Sequence, residues 1–118
     1  MKSVRLGEIA YARSGDKGSS ANVGVIARTP AGFDFLRETL SAAKIETFFA
    51  AMGVDEVIRY ELPDLGALNF ILPKILNGGG SVSLRVDAQG KALGQLLLEM
   101  QIDVPDDLLA SVVPGRKT

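Results

Sequence analysis

Between Val4 and Tyr11 apolar and polar residues alternate, with a slip near Gly7 as at a bulge, and this pattern predicts a strand. A polar, Gly-rich loop is expected from Arg13 to Ala21. Asn22 to Arg28 predicts a second strand, with Val23, Val25 and Ala27 on one face and Gly24 and Ile26 on the other, so burial is expected on both sides. Thr29-Pro30 then supplies a helix start, Thr as N-cap and Pro at the first helical position. Phe33, Leu36 and Leu40 follow at helical spacing. A second helix is predicted over Ala42 to Met52, with Ile45, Phe48, Phe49 and Met52 as its apolar stripe and Gly53 as its stop.

Glu56 to Leu62 reads as a strand, Ile58, Tyr60 and Leu62 facing one way and Val57, Arg59 and Glu61 the other. Gly66 to Leu76 predicts a short apolar helix that Pro73 either delays or kinks, with Asn77-Gly78-Gly79-Gly80 ending it. Val82, Leu84 and Val86 alternate with Ser81, Ser83 and Arg85 as a half-buried strand, and Asp87 to Lys91 is a turn. A last strand is expected from Gly94 to Ile102, with Leu96, Leu98, Met100 and Ile102 opposite Leu97, Glu99 and Gln101. Pro105-Asp106 opens a short terminal helix, and Pro114 to Thr118 is expected to fray.

Without the first strand the order is strand, helices, strand, helix, strand, strand. This order suits helices on one face of a sheet. The expected class is α+β: a ferredoxin-like mixed or antiparallel sheet, helices on one face, and an extra N-terminal strand. At 118 residues, 1–118 is expected to be a single domain.

Composition narrows the chemistry. Hydrophobic residues make up 47% and charged residues 23%, and the formal net charge is −1, with no basic excess of the kind a nucleic-acid binder carries. Cysteine and histidine are both absent. Thiol nucleophiles, disulfides, thiolate metal sites and the commonest general base are therefore excluded from this chain. No apolar run approaches the about 20 residues needed to cross a bilayer, and the first residues lack the apolar core of a signal peptide. A cytoplasmic location without membrane or nucleic-acid partners is expected.

The most polar window is Tyr11-Ala12-Arg13-Ser14-Gly15-Asp16-Lys17-Gly18-Ser19-Ser20-Ala21-Asn22. Its glycines permit an anion-binding nest of backbone N–H groups, Arg13 and Lys17 bring positive charge, and the serines bring hydroxyl donors. The plainer alternative is a solvated hairpin connection, in which these residue types are common. A P-loop is excluded because Lys17 precedes Gly18 and a strand follows. Gly15-Asp16-Lys17-Gly18 matches the GXXG of a KH domain, but that loop joins helices. Ser41-Ala42-Ala43-Lys44 matches S-x-x-K without its companion motifs and reads as a helix cap. Asp103, Asp106 and Asp107 lack calcium-loop spacing, so no metal is expected.

A second polar segment runs from Arg59 to Phe70. Glu61 lies near a strand end and Asn69 is polar among apolar neighbours. In the plainer reading, Arg59 and Glu61 share an exposed strand face and Asn69 caps the following helix.

Together these segments carry a family resemblance. Ala10-Tyr11-Ala12-Arg13-Ser14-Gly15-Asp16-Lys17-Gly18, with Asn22-Val23-Gly24-Val25-Ile26-Ala27-Arg28, resembles the opening of the AtuA-like ferredoxin-fold domain, the C-terminal part of acyclic terpene utilisation proteins. Arg59-Tyr60-Glu61-Leu62-Pro63, Gly66-Ala67-Leu68-Asn69-Phe70 and Leu76 to Gly80 resemble its later motifs. The likeness covers nearly the whole chain. It implies a ferredoxin-like fold and a link to breakdown of acyclic terpenoids or branched acids through acyl-CoA intermediates.

The large N-terminal domain of the full-length pattern is not expected on this chain. The expectation is therefore a small subunit whose partner is a separate large subunit carrying that domain, with homo-oligomerisation also expected. No intrinsic cofactor is expected, and acyl-CoA is the expected ligand. Arg13, Ser14, Gly15, Gly18, Ser19, Asn22, Glu61 and Asn69 are the expected ligand-binding residues. Asp16 and Lys17 are the candidates for catalysis, suited to a hydration or dehydration step shared with the partner. The competing reading is a non-catalytic oligomerisation or partner-stabilising module, supported by Leu97 on an outer face of the last strand.

Overall fold

The computed structural model of the protein describes residues 1–17, 20–54, 56–73 and 91–115, and for residues 16, 17, 91 and 92 the backbone alone. Six strands are described: β1 (Lys2–Arg5), β2 (Ala10–Lys17), β3 (Ser20–Ala27), β4 (Ile58–Leu62), β5 (Ala67–Leu72) and β6 (Gln101–Val104). Four α-helices accompany them: α1 (Pro30–Thr39), α2 (Ala42–Phe48), α3 (Lys91–Leu97) and α4 (Leu109–Val112). The expected stop at 77–80, the strand Val82–Val86 and the turn after it lie outside the described residues up to Lys91.

The larger sheet has strand order β2-β3-β5-β4, antiparallel throughout. The extra N-terminal strand, β1, pairs antiparallel with β6 in a separate two-stranded sheet. The α+β class with antiparallel sheets is thus as expected, whereas several elements differ from the sequence reading.

Gly7 is not a bulge. Leu6–Glu8 forms a 3-10 turn in which the Leu6 and Gly7 N–H groups donate to the Met100 and Leu98 carbonyls at 2.8 and 2.9 Å. The chain leaves one sheet there and enters the other. Arg13–Lys17 and Ser20–Ala21, expected as loop, are strand instead: β2 and β3 pair from Ala10↔Ala27 to Lys17↔Ser20, and Gly18 and Ser19 lie outside the described residues. Cross-strand pairing satisfies the backbone that the polar composition suggested was left to solvent.

Residues 67–72, expected as helix, are strand β5. Leu68, Phe70 and Leu72 alternate into the core, a period of two that the overall apolarity of the stretch concealed. Gly66 adopts φ +61° at the turn before it, Pro73 directly follows the strand, and residues 74–76 of the expected helix lie outside the described residues. The opposite exchange occurs at 94–97, expected as strand and found as the end of α3. Leu93 and Leu97 are fully buried at i, i+4, and only Gln101–Val104 remains strand. Leu97 therefore faces the core, which removes the support it lent to an outer-face oligomerisation strand.

The remaining helices follow the sequence closely. The Thr29 hydroxyl accepts from the Gly32 N–H at 2.9 Å and donates to the Ser111 carbonyl at 2.7 Å, so one N-cap also ties α1 to α4. Ser41 caps α2, which ends at Phe48, and a 3-10 turn over Ala50–Met52 leads to Gly53.

Val23, Val25, Leu68, Phe70 and Leu72 on one face of the larger sheet join Leu36, Ile45, Phe49, Leu93, Leu97 and Val112 in one hydrophobic cluster. Helix α3 comes close to β2 because Gly94 lacks a side chain. A Cβ there would lie 3.1 Å from Ser14 Oγ and 3.3 Å from Ala12 Cβ. Gly94→Val is accordingly expected to lower unfolding free energy by about 1–3 kcal/mol through overpacking, measured by urea denaturation.

Candidate functional site

Covering one face of a sheet with helices leaves the other face to be accounted for. Antiparallel register places three rows of residues across that open face. Tyr11, Ile26, Ala67 and Leu62 form one row; Arg13, Gly24, Asn69 and Tyr60 the next; Gly15, Asn22, Ile71 and Ile58 the third. Successive side chains in a strand point to opposite sides, so Val23, Val25, Leu68 and Phe70 lie on the core side of the same strands.

The open face is apolar at its margins and polar at its centre. Tyr11 is 54% exposed, Tyr60 52% and Leu65, on the turn beside the first row, 68%. Ile58 and Leu62 are also exposed. In the middle the Asn22 amide donates to Asn69 Oδ1 at 3.3 Å. Gly24 lies beside that amide: a Cβ on Gly24 would be in ordinary contact with Asn69 Oδ1, at 3.8 Å. Arg13 stands in the same row, exposed, and among the described residues has no hydrogen-bond or ion-pair partner. A groove of about 650 Å³ is lined by Tyr11, Ala12, Arg13, Ile26 and Leu65. At its margin the Arg28 guanidinium lies 3.9 Å from the Tyr11 ring centroid and donates through Nε to the Gly7 carbonyl at 3.2 Å. The stacked cation holds the Tyr11 ring against the sheet edge.

The expected ligand-binding residues divide between the two faces. Arg13, Gly15, Asn22 and Asn69 share the open face; a Cβ on Gly15 would sit 3.7 Å from Asn22 Oδ1. Ser14 does not join them. Its hydroxyl accepts from the Gly94 N–H of α3 at 2.9 Å on the helix-covered side. Glu61 is also on the other side of its strand and pairs with Arg59 at 3.4 Å. Arg59 itself donates to the Arg37 carbonyl at 2.7 Å, satisfying an acceptor in the last turn of α1. Asp16 and Lys17 end β2, paired with Ala21 and Ser20. Gly18 and Ser19 lie outside the described residues. Asn69, in mid-strand, caps no helix.

Sequence reasoning did not single out Tyr60, Ile58, Leu62 and Leu65, which the fold exposes on the same side as Tyr11 and Arg13. The alternation of Ile58, Tyr60 and Leu62 was visible, but alternation does not say which face the helices cover. Of the plainer reading that Arg59 and Glu61 share an exposed strand face, the shared face and the exposure of Glu61 hold, but Arg59 is half-buried and turned towards α1, and the apolar residues on the opposite side of β4 are exposed as well.

Among the described residues no group of three metal-ligating side chains is brought together, and no helix is long and apolar enough to cross a membrane. Among the described residues the arrangement provides a broad surface that carries the exposed Arg13 and an amide pair with a further donor and acceptor beyond the bond between them.

A family model described as the AtuA ferredoxin-like domain matches residues 4–103, and the chain belongs to that family. No curated protein and no solved structure matches the chain.

The hydrogen bond from Gly94 to Ser14 gives Ser14 a structural role that can be measured. Ser14→Ala is expected to lower stability by about 1 kcal/mol in urea denaturation, the usual effect of deleting one partner of a half-buried hydrogen bond.

Proposed function

We propose that this AtuA ferredoxin-like chain is the small accessory component of an acyl-CoA-processing assembly in the breakdown of acyclic terpenoids or related branched acids, and that it works by docking through the open face of its larger sheet. Family membership supports the metabolic setting. The observation that carries the docking role is the concentration of Tyr11, Ile58, Tyr60, Leu62 and Leu65, all exposed, on that one side. Contiguous exposed apolar residues bordered by polar ones are a mark of an interaction surface, since leaving them in water has no folding benefit. The assembly's other component is a larger subunit carrying the acyclic terpene utilisation N-terminal domain.

The end of the β2–β3 hairpin forms the rim of this surface. Gly15 and Asn22 are there, and Lys17 with Gly18 and Ser19 follows in the chain. In this reading the rim receives a phosphate or carboxylate of the acyl-CoA. Lys17 provides the charge, and Asp16 orients it or accepts a proton in a hydration or dehydration step completed by the larger subunit. With neither Cys nor His in the sequence, this chain's contribution is binding and positioning more than a full set of catalytic groups.

Two measurements test the reading on the assembled complex. Tyr60→Asp combined with Leu62→Asp is expected to weaken assembly at least about tenfold, as burying two new charges requires, while circular dichroism of the isolated chain stays unchanged. An unaltered complex mass in light scattering would remove the docking role. Lys17→Ala is expected to reduce acyl-CoA affinity about tenfold by calorimetry, the scale of one charge-assisted hydrogen bond, and undiminished affinity would remove the rim assignment.

A further inference from the structure

We infer that the occupant of the open sheet face is a second copy of this chain, packed face to face about a twofold axis parallel to the strands. This rests on the reading of that face as an interface and names what covers it. A closed two-chain assembly puts the same patch on both sides, so the patch must complement itself. Its rows can therefore be tested against the twofold arrangements that bring two such faces together.

With the axis parallel to the strands, β2 lies over the partner's β4 and β3 over the partner's β5, and each row meets its own copy in reverse order. In the middle row Arg13 then faces the partner's Tyr60, and Gly24 faces the partner's Asn69. The cation that has no ion-pair partner among the described residues is placed over an exposed aromatic ring, twice by symmetry. The space above Gly24 receives an amide whose remaining donor can be satisfied across the interface. In the flanking rows Tyr11 meets the partner's Leu62, and Gly15 meets the partner's Ile58. The remaining pairs set Ile26 against the partner's Ala67 and Asn22 against the partner's Ile71.

The other face-to-face twofold, perpendicular to the strands through the middle row, sets β2 over the partner's β2. Arg13 then faces the partner's Arg13 and Gly24 the partner's Gly24, which opposes like charges and leaves a gap at the centre. Charge and volume therefore select the parallel axis. Aligned sheets cross at about 30°, which displaces the outer positions of a row by about one residue, within reach of an arginine side chain.

The face also carries a polar centre of the sort that specifies register. A buried amide pair in an otherwise apolar interface is satisfied in one alignment and left unpaired in others. Asn22 and Asn69 are in that position, bordered by Tyr60, Leu62 and Ile58 on one side and Tyr11 on the other.

The test uses the full chain alone. Sedimentation between about 1 and 100 μM is expected to show a monomer–dimer equilibrium, the range in which interfaces of modest size associate. Arg13→Glu is expected to weaken the dimer at least about tenfold, and Leu96→Asp, exposed on α3 away from this face, to leave it unchanged. Because the chain has no cysteine, crosslinking sites can be placed without background. Arg13→Cys combined with Tyr60→Cys is expected to give a covalent dimer with a short bismaleimide, whereas Arg13→Cys alone is expected to give none.

A monomer at about 100 μM, or efficient crosslinking of the single variant Arg13→Cys, overturns the inference. If the chain is monomeric and Tyr60→Asp with Leu62→Asp still disrupts the complex with the larger subunit, the face is an interface for that subunit instead. The inference then fails while the docking role stands. If neither variant affects either assembly, both fail.

Discussion

The pairing register of β2 and β3 is the constraint from which the rest follows. In a strand the side-chain period is two, so a one-residue slip would exchange the core and solvent faces of the whole sheet. The register Arg13↔Gly24 and Ser14↔Val23 puts Val23 and Val25 on the helix-covered side and Arg13, Gly15, Asn22 and Gly24 on the other. Strands β5 and β4 extend the same choice, adding Phe70 and Leu68 inside and Asn69, Tyr60 and Leu62 outside. Slipping this register would bury Arg13 and expose Val23, at a cost of several kcal/mol in lost apolar burial and charge desolvation.

Once that side is chosen, the helices complete it through small residues and shared hydrogen bonds. Gly94 lets α3 approach β2, and its N–H is bonded to the Ser14 hydroxyl. Thr29 serves α1 as an N-cap and reaches the carbonyl of Ser111 near the chain's end. Arg59 closes the last turn of α1 from the edge strand. Polar side chains directed inward are thus engaged in holding helices to the sheet. The polar side chains directed outward, Arg13 and the two asparagines, have bonding capacity left over. This division separates inward, helix-holding polarity from outward, exposed polarity within one contiguous motif, where neighbours Arg13 and Ser14 lie on opposite sides.

The open face also explains how a chain lacking cysteine and histidine takes part in acyl-CoA chemistry under the proposed reading. A surface of exposed aromatic and aliphatic residues beside the exposed Arg13 is suited to association. Membership of the AtuA ferredoxin-like domain family sets the context.

Local chemistry in the residues determined the class α+β, the capped starts of α1 and α2, the strand cores at 22–27 and 58–62, and the family motif around Arg13 to Gly18. Those features depend on near neighbours: an N-cap hydroxyl, a proline at N1, an alternation a few residues long. Where nearby residues are ambiguous, only tertiary structure decided. Ala67–Leu72 is apolar enough for either element, and became a strand because β3 and β4 are both there to pair with it. Residues 94–97 alternate as a strand would, and became helix because Leu93 and Leu97 are buried together on one side. Which face of the sheet the helices cover is likewise absent from any single strand's pattern. It is a property of how all the elements pack, and it decided that Tyr11, Arg13, Asn69 and Tyr60 form one surface while Ser14 and Glu61 stand behind it.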